Sequence, residues 1–180
     1  MATANLIPTS NGALQHLLVY PSISAYAAID DTPGSHDSDT TYIYQNSVAD
    51  WVSSSFKCSY SFYGDISNIT LHGYARSLNS DYGKCYFAIY AYITGNTYAW
   101  TEREILKWEY YYLGKSMNVN PKTGVAWTMS DLSSLEIGCS LKSLNYPAKG
   151  APRCTQLYAV VTYTPTTPPG DDLTGASLLL

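Results

Sequence analysis

Four aspartates stand close together in one polar segment, and they are the strongest candidates in the sequence for binding a metal ion. They are Asp30, Asp31, Asp37 and Asp39, in the turn-forming run DDTPGSHDSD. Hard cations such as Ca²⁺ are bound by several carboxylate oxygens from a flexible loop. The run lacks the glycine and terminal glutamate spacing of an EF-hand. We therefore favour a solvated loop that caps the fold and predict no metal and no cofactor, with Ca²⁺ as the alternative.

Residues that usually carry acid–base or nucleophilic catalysis are scattered along the chain. His16, His36 and His72 are accompanied by neither a G-x-S-x-G motif nor a nearby cysteine. Glu102 and Glu109 would act as a glycosidase pair only if the fold set their carboxyl groups at a specific separation. We therefore predict that the protein is not an enzyme and has no catalytic or cofactor-binding residues.

Tyrosine is unusually frequent, with 18 copies, whereas charged residues make up only 13% of the chain. Soluble proteins usually contain about 25% charged residues. A surface poor in charges is covered by tyrosine and small polar residues, which is typical of proteins that contact other proteins or sugars. Tyr86, Tyr90 and Tyr92 alternate on one side of a predicted strand, and Tyr111 lies in a run of three tyrosines. We predict subunit contacts at these positions, with stacking on sugar rings as the alternative.

Charge and hydropathy argue against nucleic-acid and membrane partners. The net charge is −4, and the lysines and arginines are scattered singly. No basic stripe is present to neutralise phosphates, so we expect no direct binding to nucleic acid. No apolar run approaches the roughly 18 residues of a membrane span. The first residues lack the positive region and unbroken apolar run of a signal peptide, so we expect synthesis and folding in the cytoplasm.

The four cysteines are widely spaced, at Cys58, Cys85, Cys139 and Cys154. They form no C-x-x-C pair and lie near no histidine cluster, so zinc binding is disfavoured. Each lies in an apolar or alternating run, where a free cysteine behaves as a small buried hydrophobe. We expect buried thiols, and one or two disulfides if the mature protein is extracellular.

Alternating apolar and polar residues predict mostly β-structure. The pattern is clearest over 56–62, closed by Gly64, over 69–76 and over 85–93. Residues 14–20 predict a strand that stops at Pro21, and 97–113 predict two strands joined by a loop. Regular strands separated by turns predict an all-β fold, an antiparallel β-sandwich of jelly-roll type.

One short helix is predicted near 129–135. Thr128 can act as its N-cap and Asp131 as the N3 partner of a capping box, and Gly138 follows its end. A rigid Asn120-Pro121 turn precedes it and leads to Trp127, which we expect in the core.

The chain divides into three predicted parts. Residues 1–12 are expected to form an extended N-terminal arm, 13–164 the sandwich domain and 165–180 a proline-rich tail. The prolines at 165, 168 and 169 favour an extended linker. The tail ends in three apolar residues that we expect to contact a neighbouring subunit, namely Leu178, Leu179 and Leu180.

Three segments together resemble one known group of proteins. They are DTTYI at 39–43, NPKTGVAWTMSDL at 120–132 and TQLYAVVTY at 155–163. In this order they resemble the small β-sandwich structural proteins of tailed bacteriophages, over about residues 37–163, whose role within the virion is unassigned. The resemblance implies a jelly-roll or concanavalin-like sandwich that serves as a virion component and brings no catalytic residues.

The leading hypothesis is a non-enzymatic virion structural protein. It would act as a capsid decoration, head-fibre or tail component, assembling in many copies with itself and with other virion proteins through its tyrosine-rich faces and termini. One alternative is a carbohydrate-binding module of a fibre or cell surface. A second alternative is a subunit of an extracellular filament.

Overall fold

Two antiparallel β-sheets that share one apolar core form the fold, as the sequence predicted. The computed structural model describes residues 1–38, 40–46, 49–77, 84–105, 109–144 and 152–168. In chain order the elements are β1 (Ala2–Leu6), β2 (Pro8–Gln15), β3 (Leu18–Tyr20), a 3₁₀ turn (Tyr26–Ala28), β4 (Tyr42–Tyr44), β5 (Ala49–Cys58), β6 (Gly64–Ser77), β7 (Cys85–Ile93), β8 (Asn96–Ile105), β9 (Tyr111–Met117), α1 (Met129–Ser134), β10 (Leu135–Ser143) and β11 (Pro152–Pro165).

The strands divide into sheet A and sheet B, which pack on each other in a jelly-roll β-sandwich. Sheet A has the order β3-β4-β11-β6-β9, and β1 also pairs with β11. Sheet B has the order β2-β5-β10-β7-β8. The core between them is built by alternate residues of each strand, such as Ile69 and Leu71 of β6 and Ile137 and Leu141 of β10, all of which are buried. No helix of the described residues is long and apolar enough to cross a membrane.

The N-terminal segment is part of the sandwich rather than a separate arm. Its first strand pairs with β11 in sheet A, and after residue 7 the chain crosses over and pairs with β5 in sheet B. Residues 14–20, predicted as one strand, are divided between the sheets for the same reason, since β2 ends at Gln15 and β3 begins in sheet A at Leu18. The first twenty residues therefore tie the two sheets together.

Gly64 begins a strand instead of closing one. The alternation through 56–62 predicted a strand up to Phe62, but β5 ends at Cys58 and 59–63 form an irregular connection. Gly64 pairs with Pro165, where an added Cβ would lie 2.8 Å from the ring of Tyr163. The glycine is required by this close approach of β11, so its presence did not mark a turn.

The helix has the predicted capping box. The Thr128 hydroxyl accepts a hydrogen bond from the Asp131 N–H, and the Asp131 carboxylate accepts one from the Thr128 N–H at 2.8 Å. The helix then passes directly into β10 through Leu135. Gly138 follows the helix end, as predicted, and lies inside β10.

The four cysteines all lie in the described part of the chain and form no disulfide there; three of them are buried as expected, whereas Cys58 is half-buried. Burial raises the pKa of the Cys58 thiol to about 12. A hydrogen bond with Cys154, together with burial, raises the pKa of Cys139, so these thiols behave as small core residues.

Candidate functional site

The outer face of sheet B combines aromatic, charged and very small side chains. Strand register assigns the outward positions, because alternate residues of β10 and β7 point into the core. These positions are Trp51, Ser53, Ser55 and Lys57 on β5, Glu136, Gly138, Ser140 and Lys142 on β10, Tyr86, Ala88, Tyr90 and Tyr92 on β7, and Trp100, Glu102 and Glu104 on β8.

Small residues occupy the middle of this face. Ser53, Ser140 and Ala88 lie side by side on neighbouring strands, and a hydrogen bond of 2.5 Å joins the two serine hydroxyls. Aromatic and charged side chains occupy the outward positions around them, so the face has a centre of small residues between larger ones.

Tyr90 is the fully buried aromatic residue of this face. Its ring crosses β10 at Gly138, and its hydroxyl donates a hydrogen bond of 3.1 Å to the carbonyl oxygen of Ser54. The side chain is fully buried, and burial raises the pKa of the phenol. The prediction that Tyr90 itself contacts a partner is therefore wrong, because it has no accessible surface.

Two tryptophans form the exposed part of the aromatic cluster. Trp100 stacks on Tyr90, with ring centroids 5.8 Å apart and an interplanar angle of 10°. Trp51 meets Trp100 edge to face at 5.0 Å and also contacts Tyr86 at 6.3 Å. Trp100 is 37% exposed. We call Trp51, Trp100, Tyr86 and Tyr90 the tryptophan cluster.

A β-bulge brings Trp100 to this face. Tyr98 pairs with Ala91 on the core side, whereas Glu102 pairs with Ala88 on the outer side, so the alternation shifts by one residue between them. Ala99 takes up the shift with a positive φ of 53°. Sequence reasoning missed Trp51 and Trp100 as surface residues. For Trp100 the reason is that a single-residue shift of this kind leaves no clear signal in the alternation.

Two depressions lie on the outer face of sheet B, one at each end of β10. The tryptophan depression has a volume of about 250 Å³ and is lined by Trp51, Tyr86, Glu102, Lys142 and Leu144. The glutamate depression has a volume of about 360 Å³ and is lined by Ala13, Lys57, Tyr92, Thr94, Gly95, Ser133, Ser134 and Glu136. Each one combines an aromatic wall with hydrogen-bonding groups.

Charged groups at the tryptophan depression are fixed by their partners. The Lys142 ammonium lies 2.8 Å from the Asp50 carboxylate and 5.7 Å from the centre of the Trp51 ring. The hydrogen bond from Lys142 lowers the pKa of Asp50. On the other side, the Glu102 carboxylate accepts a hydrogen bond of 2.8 Å from the Trp100 indole N–H. A ligand there meets a ring face, an ammonium donor and a carboxylate acceptor.

The outer face of sheet A carries a second aromatic surface, which we call the tyrosine ladder. It runs from Tyr20 and Tyr42, with centroids 5.0 Å apart, to Tyr74 and Tyr112, 5.3 Å apart. His72 ends it, stacked on Tyr158 at 4.6 Å and hydrogen-bonded to the Tyr112 hydroxyl at 2.6 Å. Burial lowers the pKa of His72.

The other predicted contact residues have mixed positions. Tyr86 and Tyr92 are half-buried on the outer face of sheet B, where their role as contacts stays a prediction. Tyr111 is buried on the core side of β9, so its assignment as a contact is wrong. Leu178, Leu179 and Leu180 lie outside the described residues.

The aspartate segment folds onto sheet A as a capping loop. Asp31 accepts a hydrogen bond of 2.7 Å from the backbone N–H of Asp37, and Asp37 accepts one of 2.7 Å from the Thr41 hydroxyl. The Gln156 amide ties this loop to β11 through the carbonyl oxygen of Thr32. Asp30 is exposed.

These carboxylates do not converge on a metal site in the part of the chain that the structure describes. Burial raises the pKa of Asp31, while Asp39 lies outside the described residues. No group of three or more metal-ligating side chains occurs among the described residues. Glu102 is on the outer face of sheet B whereas Glu109 precedes β9 of sheet A, so the fold does not pair them.

Fold and surface together define a jelly-roll β-sandwich with an aromatic, polar-edged face on one sheet. No protein-family model matches the chain, and no curated protein matches it. Solved structures with a similar fold include the CBM22-1 xylan-binding domain of Paenibacillus barcinonensis Xyn10C, at 11% identity and a TM-score of 0.42, covering 89% of this chain and 94% of that one.

Two further structures have comparable similarity. One is the C-terminal CBM6 of the laminarinase LamC of Zobellia galactanivorans, at 12% identity and a TM-score of 0.44, covering 89% of this chain and 100% of that one. The other is the enzymatically active domain of tailspike protein 4 of bacteriophage CBA120, at 12% identity and a TM-score of 0.42, covering 89% of this chain and 19% of that one. At these identities and TM-scores the likeness is one of fold alone.

Proposed function

We propose that the protein is a non-catalytic module that binds carbohydrate on the outer face of sheet B. The observation that supports this proposal is the tryptophan depression, in which Trp51 and Tyr86 stand beside the Lys142 ammonium and the Glu102 carboxylate. A sugar ring has an apolar face of C–H groups and a rim of hydroxyls that both donate and accept hydrogen bonds. An aromatic wall with a donor and an acceptor at its edge matches both parts.

The size of the depression favours one unit of a larger glycan. Its volume of about 250 Å³ lies below the roughly 300–1,000 Å³ of pockets that enclose a whole drug-sized ligand. The ligand would therefore rest on the sheet and extend beyond the depression. This supports binding to an oligosaccharide or polysaccharide rather than to a free small molecule.

Removing the aromatic wall is the direct test. We expect Trp51→Ala to weaken binding of a glycan, first identified on a glycan array, by about 10- to 100-fold, since central aromatic contacts typically contribute about 2 kcal/mol or more. Titration calorimetry measures the affinity, and urea unfolding checks that the variant is folded.

Tyr112→Ala is the matched control, because Tyr112 is an exposed aromatic residue on the opposite sheet. It should bind the glycan as the wild-type protein does. Absence of glycan binding by the wild-type protein, or unchanged affinity in Trp51→Ala, would overturn the proposal.

A second candidate function is assembly in many copies as a structural component of a bacteriophage virion, where the protein would then be located. The resemblance of three sequence segments to phage structural proteins supports it, and so does the tyrosine ladder. Tyr112 is 42% exposed, and Leu18 and Tyr20 of β3 are also exposed on that face. Exposed tyrosines of this kind are enriched in protein interfaces. The two candidate functions use different sheets, so one chain could perform both.

Light scattering at several concentrations tests the assembly. If sheet A forms the contact, the Tyr20→Ala/Tyr112→Ala double variant should sediment and scatter as a smaller species than the wild-type protein. Deleting residues 165–180 tests the contribution of the tail separately. A wild-type protein that is monomeric at all concentrations, or a double variant that assembles normally, would contradict this candidate.

A further inference from the structure

The glutamate depression lies at the opposite end of β10 from the tryptophan depression. Glu136 and Lys142 are six residues apart on this strand, which corresponds to about 20 Å at roughly 3.3 Å per residue. Both side chains are on the outer face of sheet B. A ligand that contacts both depressions must therefore be extended and must lie along the strand.

Glu136 is a buried carboxylate with a fixed orientation. The residue is only 8% exposed. Its Oε2 atom accepts hydrogen bonds from the Ala13 backbone N–H at 2.8 Å and from the Ser55 hydroxyl at 2.6 Å. Within the described part of the chain, both of its hydrogen bonds end on this one oxygen. The carboxylate lines the depression, and two donors offset part of the cost of its burial.

The strand beside Glu136 is shaped to allow this position. A Cβ at Gly12 would overlap the Glu136 Oε2 atom and lie 2.7 Å from the Ser55 carbonyl carbon. Only glycine lets β2 approach β5 closely enough for the Ala13 N–H to reach the carboxylate. The site thus depends on three strands, β2, β5 and β10.

Hydrogen-bonding groups of several kinds surround the carboxylate. Lys57 is exposed and pairs in register with Glu136, and both residues line the depression, so a ligand there has an ammonium donor and a carboxylate acceptor within one site. Thr94, Ser133 and Ser134 add hydroxyl groups to the lining. Two adjacent sugar hydroxyls can donate to the carboxylate and accept from the ammonium, because each hydroxyl does both. An anionic group would instead face the buried negative charge.

We propose that the glutamate depression is a second subsite, which binds a neutral sugar unit through hydrogen bonds from its adjacent hydroxyls to Glu136 and from Lys57 to those hydroxyls. This inference rests on the proposed carbohydrate binding by sheet B and defines its ligand more closely. The ligand is a neutral oligosaccharide that lies along β10 and is long enough to reach both depressions. A metal ion is disfavoured at this subsite, because Glu136 is the only carboxylate that the described residues contribute to its lining and Lys57 adds a positive charge.

A Glu136→Gln substitution separates ligand binding from structural support. The glutamine carbonyl oxygen can still accept from the Ala13 N–H and the Ser55 hydroxyl, while the amide group presents a donor to the depression. We expect the affinity for a neutral oligosaccharide to fall by about 10- to 100-fold, as for lost hydrogen bonds to a charged group. Asp65→Asn, an exposed acid outside both depressions, is the matched control and should bind normally.

The probes are a glycan array with neutral and acidic oligosaccharides, followed by titration calorimetry with a length series of the best neutral ligand. Affinity should rise with the length of the oligosaccharide until it spans both subsites. In Glu136→Gln, the longer oligosaccharides should bind no more tightly than the shorter ones. Lys57→Ala is a second variant at an exposed position, and we expect it to weaken binding severalfold even if Glu136→Gln folds poorly.

The outcomes separate the two proposals. If Trp51→Ala loses binding while Glu136→Gln and Lys57→Ala bind as the wild-type protein does, the second subsite is overturned and the proposed function stands. A preference for acidic glycans would likewise overturn the assignment of a neutral ligand. If the wild-type protein binds no glycan on the array, the proposed function fails and this inference fails with it.

Discussion

Replacing Gly138 with alanine is expected to destabilise the protein by about 3 kcal/mol, at the upper end of the cost of overpacking a core position. An added Cβ would overlap the Cε2 and Cζ atoms of Tyr90, whose ring crosses β10 at this position. The ring is fully buried, stacked under Trp100 and hydrogen-bonded to the Ser54 carbonyl oxygen, so it has no free direction in which to move. Urea unfolding measures the loss of free energy.

The same substitution should also weaken glycan binding, because Trp100 rests on the Tyr90 ring.

Gly114→Ala is the matched control for the loss of stability, since its added Cβ would meet only the hydroxyl end of the exposed Tyr112 side chain at 2.5 Å. We expect Gly114→Ala to lower the free energy of unfolding much less than Gly138→Ala does. In a Tyr90→Val background the effect of Gly138→Ala should shrink, because the ring is then absent. If Gly138→Ala and Gly114→Ala lower the free energy of unfolding equally, this account of β10 is contradicted.

Trp127→Ala should destabilise the protein by about 3–5 kcal/mol, as for other buried tryptophans replaced by alanine. The side chain is 4% exposed, and its indole N–H donates a hydrogen bond of 3.0 Å to the carbonyl oxygen of Met117. The substitution leaves both a cavity and an unpaired carbonyl. Because small domains have a total stability of about 5–15 kcal/mol, this is a large fraction of it.

Two further variants at this position refine the expected result. Trp127→Phe keeps most of the apolar contact but removes the donor, so its cost should be about 1–3 kcal/mol, the cost of an unpaired buried group. Val125→Ala changes an exposed residue of the preceding turn and should be close to neutral. If Trp127→Ala unfolds at the same urea concentration as the wild-type protein, Trp127 does not anchor the core.

The segment around Trp127 shows what the sequence could predict well. The Asn120 backbone and side chain accept hydrogen bonds from the backbone N–H groups of Gly124 and Lys122, and Gly124 has a positive φ of 74°. This turn and the capping box of α1 involve residues close together in the sequence, and their types leave few alternatives. The alternation of β6 was equally informative, because one of its sides is buried and the other faces outward.

Long-range geometry explains what the sequence could not predict. The sequence placed Gly138 after the helix end but could not show why a glycine is needed there, because the ring that excludes a side chain belongs to Tyr90, on another strand. Trp100 reaches the outer face only through the bulge at Ala99. Glu136 could not be recognised as a site residue, because the Ala13 N–H that orients its carboxylate lies on β2, far away in the sequence. Each of these features depends on residues far apart in the chain.

The pairing of β1 with β11 also determines when the protein can fold. Thr3 lies opposite Thr162, so the first strand of sheet A has to wait for the last one before it gains a partner. During synthesis, β1 and the edge of β6 that later pairs with β11 remain without their neighbours until residues 152–165 have left the ribosome. Closing such distant contacts is slow. The sandwich is therefore completed only after β11 has been synthesised, and the apolar surface of its early strands needs protection until then.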